Sequence, residues 1–413
     1  MPSVQLMKDV ADVIVVGGGP VGSFTALKLA KLGAEVTVFE EHTAIGEPSH
    51  CAGHLSIRSI RSLGLYPLPS KIVENTYSQA NFYAPSGFKF SVTLAKPVTC
   101  SVNRAAFDKY LAGKAKQAGV HYHLNSRVKS LIVENGAVKG VTVMQDGKTE
   151  AVKAKIVVDA EGISSRLLRQ AGLKGLNGEC LVYAVETEVE NVENVSLNAV
   201  EVFTGKAYAP GFYGWLMPRS DGTAKLGLAT NMGNPKTFLQ RLMRKHPVAS
   251  KQLAKAKITH YSFHPVTLGG PIVKAYANGF LAVGDVASQV KPTTGGGVVF
   301  GLTCAGFAAE VASEAMRRND VSEGFLQTYQ KRCTDALSFD FSVMLRLRRF
   351  VDSLSDEKLD EVLRFCSRMG VNKALENVDE IDFQGQLFLK VLTKPAMFAA
   401  LAYFLKLYLS ANP

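Results

Sequence analysis

Apolar and polar positions fall in blocks over the first 40 residues. Asp12-Val13-Ile14-Val15-Val16 is mostly an unbroken apolar run, Gly17-Gly18-Gly19-Pro20-Val21-Gly22 is a turn signal, and helical periodicity follows to about Leu32. Gly33 ends that helix, and Glu35-Val36-Thr37-Val38-Phe39-Glu40 is a second apolar strand. Continuous apolar strands suit a parallel sheet covered on both faces, so the segment predicts a βαβ unit. The same style returns later. Asn103-Arg104 leads into a helix over 105–117 and a strand over 120–124, and Ile156-Val157-Val158-Asp159 ends in an acid before Ala160-Glu161-Gly162. A strand over 279–284 delivers Asp285 to a loop rich in Gly, Thr and Pro, and a helix follows. Strands over 128–133 and 138–144, with turns at Asn135-Gly136 and Asp146-Gly147, predict a small meander.

Between 181 and 231 the period becomes two: Val182, Ala184, Glu186 and Glu188, then 198–203, 215–218 and 225–230. That spacing predicts an antiparallel sheet with one face on a core and the other open to water or substrate. Beyond about Val311 the pattern reads as helices. There is no internal repeat and no low-complexity linker. The expected fold class is therefore α/β plus β: residues 8–72, 97–175 and 270–320 form a discontinuous Rossmann-like domain. Residues 73–96 and 176–269 form an antiparallel substrate-binding domain, and 321–413 a C-terminal helical region.

Composition narrows the class. With 47% apolar and 20% charged residues the chain is an ordinary globular protein, which excludes disorder and fibrous repeats. Its net charge of +11 favours phosphate-bearing or otherwise anionic partners without choosing among nucleic acid, anionic lipid and a polyanionic metabolite. Six scattered cysteines with no C-x-x-C pair predict neither a disulfide framework nor a zinc site, and point to a reducing cytoplasm. His121 and His123 share a strand face but have no third ligand at a suitable spacing, so no metal is expected. The N-terminal residues lead straight into the glycine turn and read as a strand, not a signal peptide. No run of about 18 uninterrupted apolar residues predicts a spanning helix.

The turn Gly17-x-Gly19-x-x-Gly22 gains meaning from its setting between a strand and a helix. The first glycine permits the tight turn, the second lets backbone approach a pyrophosphate, and the third allows close strand–helix packing. The helix N-terminus adds unpaired N–H groups and a positive dipole end. Glu40, about twenty residues on, stands where a carboxylate accepts ribose hydroxyls. The second constellation, Gly284-Asp285 with Lys291-Pro292-Thr293-Thr294-Gly295-Gly296-Gly297-Val298, repeats the logic. One dinucleotide half-site explains one such turn; two imply a long cofactor held at both ends, FAD rather than NAD alone.

Taken together, Gly17 to Gly22, Glu40, the segments 45–48 and 51–53, 157–162 and 284–298 resemble the geranylgeranyl reductase family of flavoproteins. That family shares its FAD fold with p-hydroxybenzoate hydroxylase. The segment Pro210-Gly211-Phe212-Tyr213-Gly214-Trp215-Leu216-Met217-Pro218 is similar to the family's P-x-x-Y-x-W-x-F-P motif, with Met217 in the phenylalanine position. The resemblance implies that Gly17, Gly19, Gly22 and Glu40 hold the ADP end of FAD, and Arg104 and Asp285 the pyrophosphate and ribityl region. It places Gly297 and Val298 at the flavin end and the Val128 backbone at the adenosine half. Cys51, Ala52 and His54 would line the isoalloxazine, and Tyr213 and Trp215 a substrate tunnel. It further implies an isoprenoid lipid substrate, an electron donor that is NAD(P)H or a ferredoxin-like protein, and no nucleic acid. Contact with the inner face of the membrane would be peripheral.

The residues also speak for themselves at the tryptophan. Strand alternation puts Tyr213 and Trp215 on one face, a broad aromatic surface suited to an apolar substrate, while a core position for Trp215 is the plainer alternative. Cys51 follows a Gly/Pro turn and has no resolving thiol nearby, which favours packing or gating over redox chemistry. Three functions fit: an FAD-dependent reductase of isoprenoid C=C bonds, an FAD-dependent monooxygenase or halogenase on an apolar or aromatic substrate, and a non-catalytic FAD-binding redox partner. Arg346, Arg348 and Arg349, among Met344, Leu345, Leu347 and Phe350, are expected on a solvated helix or against lipid headgroups. The apolar tail over 395–409 is too short to span; it packs in the fold or lies on a membrane.

Overall fold

A computed structural model describes residues 5–6 and 11–411. The expected domain start at residue 8 and the last two residues lie outside this described part. The chain divides into two compact units, each assembled from three passages: 1–49, 104–180 and 267–338 in the first, and 50–103, 181–266 and 339–413 in the second.

The first unit is built on a nine-stranded mixed sheet among the described residues. Its parallel part runs Phe280–Ala282, Lys148–Asp159, Ala11–Val16, Val36–Phe39, His121–His123. The apolar runs are covered on both faces, as continuous hydrophobic strands require: Val13, Ile14, Val15, Ile156, Val157 and Val158 have no exposed surface. Each contributes roughly 1.5–3 kcal/mol of burial. The expected strand at Ile156 is the second half of a 12-residue strand, Lys148–Asp159. Its first half pairs antiparallel with Ala137–Gln145, which pairs in turn with Ser126–Glu134, so the meander and the parallel sheet are continuous. Helices Pro20–Lys31, Arg104–Gln117 and Val298–Arg317 belong to this unit. The last is long and apolar enough to cross a membrane, but most of its apolar stretch is buried inside the protein.

The second unit contains an eight-stranded sheet in the order Lys257–Ile258, Leu181–Glu190, Ala224–Thr230, Gly214–Pro218, Ala199–Phe203, Gln79–Tyr83, Lys89–Thr93, with Ser262–Thr267 also on Leu181–Glu190. Its helices Pro235–Lys245 and Ala249–Gln252 contribute Leu239, Leu242, Ala249 and other residues to a core with Val185, Phe203, Leu216 and Leu228. The expected half-open sheet is only partly found. Leu181–Glu190 alternates, but every residue of Ala224–Thr230 is buried, because the strand lies inside the sheet with both faces covered.

Residues 50–72 and the helices after 338 cluster with this second unit, unlike the expected boundaries. His54–Ser56 pairs with Thr99–Val102, which pairs with Val73–Tyr77 in a three-stranded sheet, and that ties residues 50–72 to the 73–103 segment. The terminal helices pack Met397, Ala400, Tyr403 and Phe404 with Phe90, Phe350 and Leu359 of the same unit.

Candidate functional site

In the first unit, the glycine turn is specified by what side chains would strike. Gly17 has φ +98°, and a Cβ there would come within 2.4 Å of the Ala160 carbonyl oxygen; one on Gly22 would meet the Gly17 oxygen at 2.0 Å. Gly19 differs: a Cβ there would meet nothing within 4 Å. Two glycines thus pack the turn, and the third leaves backbone facing open space. The helix that follows starts with Pro20 and has no side-chain cap, so its first N–H groups remain available to an anion. Glu40 stands just beyond strand Val36–Phe39. Its Oε2 accepts the Gly18 N–H at 2.7 Å, and its Oε1 accepts the His42 N–H at 2.9 Å and lies 2.6 Å from His42 Nδ1. The carboxylate therefore shapes the turn, and its Oε2, with one such contact, keeps a further lone pair for a hydroxyl.

The second turn lies beside the first. A Cβ on Gly284 or Gly301 would meet Val21 at 3.1 or 2.6 Å, so Gly301 lets the helices Pro20–Lys31 and Val298–Arg317 approach closely and Gly284 lets the second turn close on the first helix. Gly297 caps the second helix, with no room for a Cβ beside Asp285 Oδ1 (2.7 Å). Burial pushes the Asp285 carboxyl up, and Arg104 opposes that shift. Arg104 pairs with Asp108 at 3.2 Å, and burial likewise raises the Asp108 carboxyl against the pull of Arg104. Two uncapped helix starts, one guanidinium between two acids and open space at Gly19 all meet at the carboxyl ends of parallel strands, where such sheets bind nucleotides. Val128 lies at a bulge in Ser126–Glu134, and its carbonyl accepts from Arg166 at 2.8 Å, a partner sequence reasoning missed. Asp159 is fully buried at its strand end, where burial and the nearby Glu161 charge hold its carboxyl well above the usual range.

In the second unit, Tyr213 and Trp215 meet edge to face at 6.1 Å, and Phe212 stacks on Tyr213 at 4.3 Å. The indole lies across Gly227, its cross-strand partner, where a Cβ would come within 2.4 Å of Cζ2. Trp215 packs with Ala52, Tyr77, Val200, Val202 and Met217. His54 meets Tyr77 edge to face at 5.7 Å, and the Tyr77 hydroxyl donates to the Pro218 carbonyl at 2.7 Å; burial holds that phenol at about 12. Ala52, His54 and Trp215 are thereby gathered around Tyr77. Cys51 is exposed, and its sulfur accepts the Gly53 N–H.

Lys225, Glu74 and Arg219 escaped sequence reasoning. Lys225, 5% exposed, donates to the carbonyls of Ala52 (3.1 Å) and Val102 (3.0 Å) and pairs with Glu74 at 2.7 Å. Glu74 also meets Arg219, which grips both oxygens of Glu188 at 2.9 Å. Arg348 is not on a solvated or lipid-facing surface as expected; its side chain is 11% exposed, stacks over Phe212 at 5.1 Å and pairs with Asp352 at 2.8 Å. Arg346 and Arg349 do remain exposed. Burial raises the Tyr213 phenol, and Arg348 opposes that shift. The only sequence hint was the i,i+4 spacing of Arg348 and Asp352.

A family model described as an FAD binding domain matches residues 10–337. The digeranylgeranylglycerophospholipid reductase of Methanocaldococcus jannaschii is 33% identical over 96% of this chain and 98% of its own. A second such reductase, from Methanopyrus kandleri, is 31% identical over 90% and 94%. Among solved structures, a geranylgeranyl bacteriochlorophyll reductase-like protein from Thermoplasma acidophilum superposes with a TM-score of 0.85 at 27% identity, covering 96% of this chain and 99% of that one. A flavin-dependent brominase shares the fold, with a TM-score of 0.71 at 20% identity over 88% and 93%. The chain is accordingly an FAD-binding protein, and the likeness extends through the C-terminal helices. By these matches the chain belongs to the digeranylgeranylglycerophospholipid reductase family of FAD-binding proteins.

Proposed function

We propose that the chain saturates C=C bonds in the geranylgeranyl chains of isoprenoid membrane lipids or prenyl diphosphates. The observation that carries this reading is the aromatic group of Phe212, Tyr213 and Trp215, its indole laid over Gly227, in a chain related along its length to named reductases of such lipids. An isolated alkene has no carbonyl to polarise it, so saturation needs a hydride donor held close and a proton for the other carbon. Bound FAD, once reduced, supplies the hydride.

The chain's own residues bind and orient. Gly17, Gly19, Gly22 and Glu40 hold the ADP end, with the Val128 backbone at the adenosine. Arg104 and Asp285 take the pyrophosphate and ribityl region, Gly297 and Val298 the flavin end, and Cys51, Ala52 and His54 line the ring. Trp215 and Tyr213 hold the isoprenoid and exclude water. The Tyr213 hydroxyl, kept protonated by burial, is one candidate proton source for the second carbon, beside Cys51, water and the flavin itself. Electrons come from NAD(P)H or a ferredoxin-like protein, and the chain works in the cytoplasm at the inner face of a membrane.

The test is direct. Purified protein should carry flavin absorbance, and after anaerobic dithionite reduction an added geranylgeranyl lipid should gain two hydrogens per saturated bond by mass spectrometry. Colourless protein, or reduced protein that leaves the lipid mass unchanged, refutes the reading. Oxygen-dependent modification of an aromatic substrate would favour the monooxygenase or halogenase alternative instead.

A further inference from the structure

The last two helices of the second unit carry a surface for which the reduction chemistry has no use. Gln384–Val391 and Pro395–Ala411 are separated by a short break, and the first turns 118° from the Pro395–Phe404 part of the second. One side of this elbow is internal: Val391 and Ala400 are buried, and Met397, Tyr403 and Phe404 pack on the cluster of Phe350, Leu354 and Leu359. The other side exposes large apolar side chains, Leu389 at 55% and Phe398 at 67%. Pro395 and Ala402 are exposed with them, and Phe398 and Ala402 are one helical turn apart on one stripe.

Charge on this elbow has a single sign. From Gln384 to Ala411 there is no Asp or Glu, and the charged residues are Lys390, Lys394 and Lys406. Lys390 and Lys406 are exposed, while Lys394 donates inward to the Ala374 carbonyl at 2.6 Å. A cleft of about 500 Å³ opens alongside; Phe383, Leu387 and Lys390 line its elbow side, and Arg58, Asp379 and Glu380, which lie outside the elbow, line the rest, with Arg58 paired to Asp379. Neither helix suits a crossing: one has 8 residues and the other 17, against the roughly 20 a bilayer core needs, and their inner face is already packed.

We propose that this elbow is the surface by which the protein docks, without spanning, on a bilayer rich in anionic lipid. Exposed Leu389 and Phe398 enter the acyl boundary while Lys390 and Lys406 meet the phosphates, the arrangement of an interfacial helix. The proposal gives a place to the membrane contact inferred above and rests on that reading for its purpose, but vesicles free of substrate test it separately.

The experiment is co-sedimentation of the full-length FAD-loaded protein with phosphatidylcholine vesicles, with and without phosphatidylglycerol. Binding should require the anionic lipid and weaken as salt is raised. The double variant Leu389→Glu/Phe398→Glu should lose at least about tenfold in affinity, and Lys390→Gln/Lys406→Gln about tenfold, with flavin absorbance retained in both. A milder Leu389→Ser/Phe398→Ser variant guards against misfolding. Reductase activity on detergent-dispersed lipid should be unchanged in all of them. Wild-type protein that stays in the supernatant with both vesicle types overturns the proposal, as does vesicle binding that the variants leave intact. So does a wild-type oligomer that the Leu389/Phe398 variants split while vesicle binding persists, which would mean that a second copy covers this face. Vesicle binding by a protein that reduces no lipid would refute the function and leave the docking surface standing.

Discussion

Lys225→Met is the sharpest test of how the second unit holds its Cys51–Gly53 segment. The lysine is 5% exposed and makes three polar contacts, the Ala52 and Val102 carbonyls and the Glu74 carboxylate. Methionine fills much of the space and offers no donor. Glu74, whose side chain is 12% exposed, would keep Arg219 at 3.1 Å but lose its nearer partner. Breaking a buried pair by removing one member costs about 3–5 kcal/mol, and unsatisfied carbonyls about 1–3 kcal/mol each. Because Arg219 still compensates Glu74 in part, the expected total is about 3–5 kcal/mol. For a unit of this size that lowers Tm by roughly 6–20 °C. Adding Glu74→Gln removes the stranded charge and should recover at least about 1 kcal/mol, a coupling read from a double-mutant cycle in urea. Lys225→Met within about 1 kcal/mol of wild type, or strictly additive effects with Glu74→Gln, would refute the assignment.

Four further outcomes follow from the geometry. Gly22→Ala places a Cβ 2.0 Å from the Gly17 carbonyl oxygen and should purify without flavin absorbance while remaining folded by circular dichroism. Gly227→Ala drives a methyl into the indole; with one tryptophan in the chain, a changed emission maximum reports the displacement, and KM for lipid should rise with flavin still bound. Tyr213→Phe should lower kcat by about 10²–10⁴-fold if its hydroxyl gives the proton, and leave flavin binding unchanged. His246 has no exposed surface, and burial lowers it to about 4. Its Nδ1 accepts from the Val248 and Ala249 N–H groups and its Nε2 faces the Ala84 carbonyl, so the folded state keeps it neutral. Its folded pKa lies below the unfolded one, so full stability holds above about pH 6.5. Roughly 3 kcal/mol is then lost as the pH falls towards 4. The difference between wild type and His246→Gln in urea titrations across that range should show this slope, and parallel curves would contradict it.

Much of the first unit was legible because its signals are local. The strand, glycine turn, helix and acid from Ala11 to Glu40 lie within 30 residues, and each constrains its neighbours through backbone geometry alone. The strand that ends before Asp285 and the helix that starts after Gly297 were legible for the same reason. Lys225 was not: in a strand of alternating pattern it reads as a solvent-facing residue, and only Glu74 and Ala52, some 150 or more residues earlier, make it an interior one. Arg348 was misread for a parallel cause, since the Phe212 ring that covers it comes from a distant loop. The long strand Lys148–Asp159 was seen only in its apolar half. Its first half alternates like a surface strand because the antiparallel meander covers it less completely.

That strand also sets a timetable for synthesis. The ladder between Val157–Asp159 and Phe280–Ala282 joins residues about 120 positions apart, so the nascent chain waits for its neighbour. At roughly 5–20 residues per second, the ribosome takes about 6–24 s to supply it. Through that interval Val157 and Val158, destined for complete burial, sit beside an open hydrogen-bonding edge, the feature that invites wrong pairing between chains. A polypeptide halted before residue 280 would keep that edge unsatisfied, making the protein a client for chaperones in the middle of its translation rather than at the end.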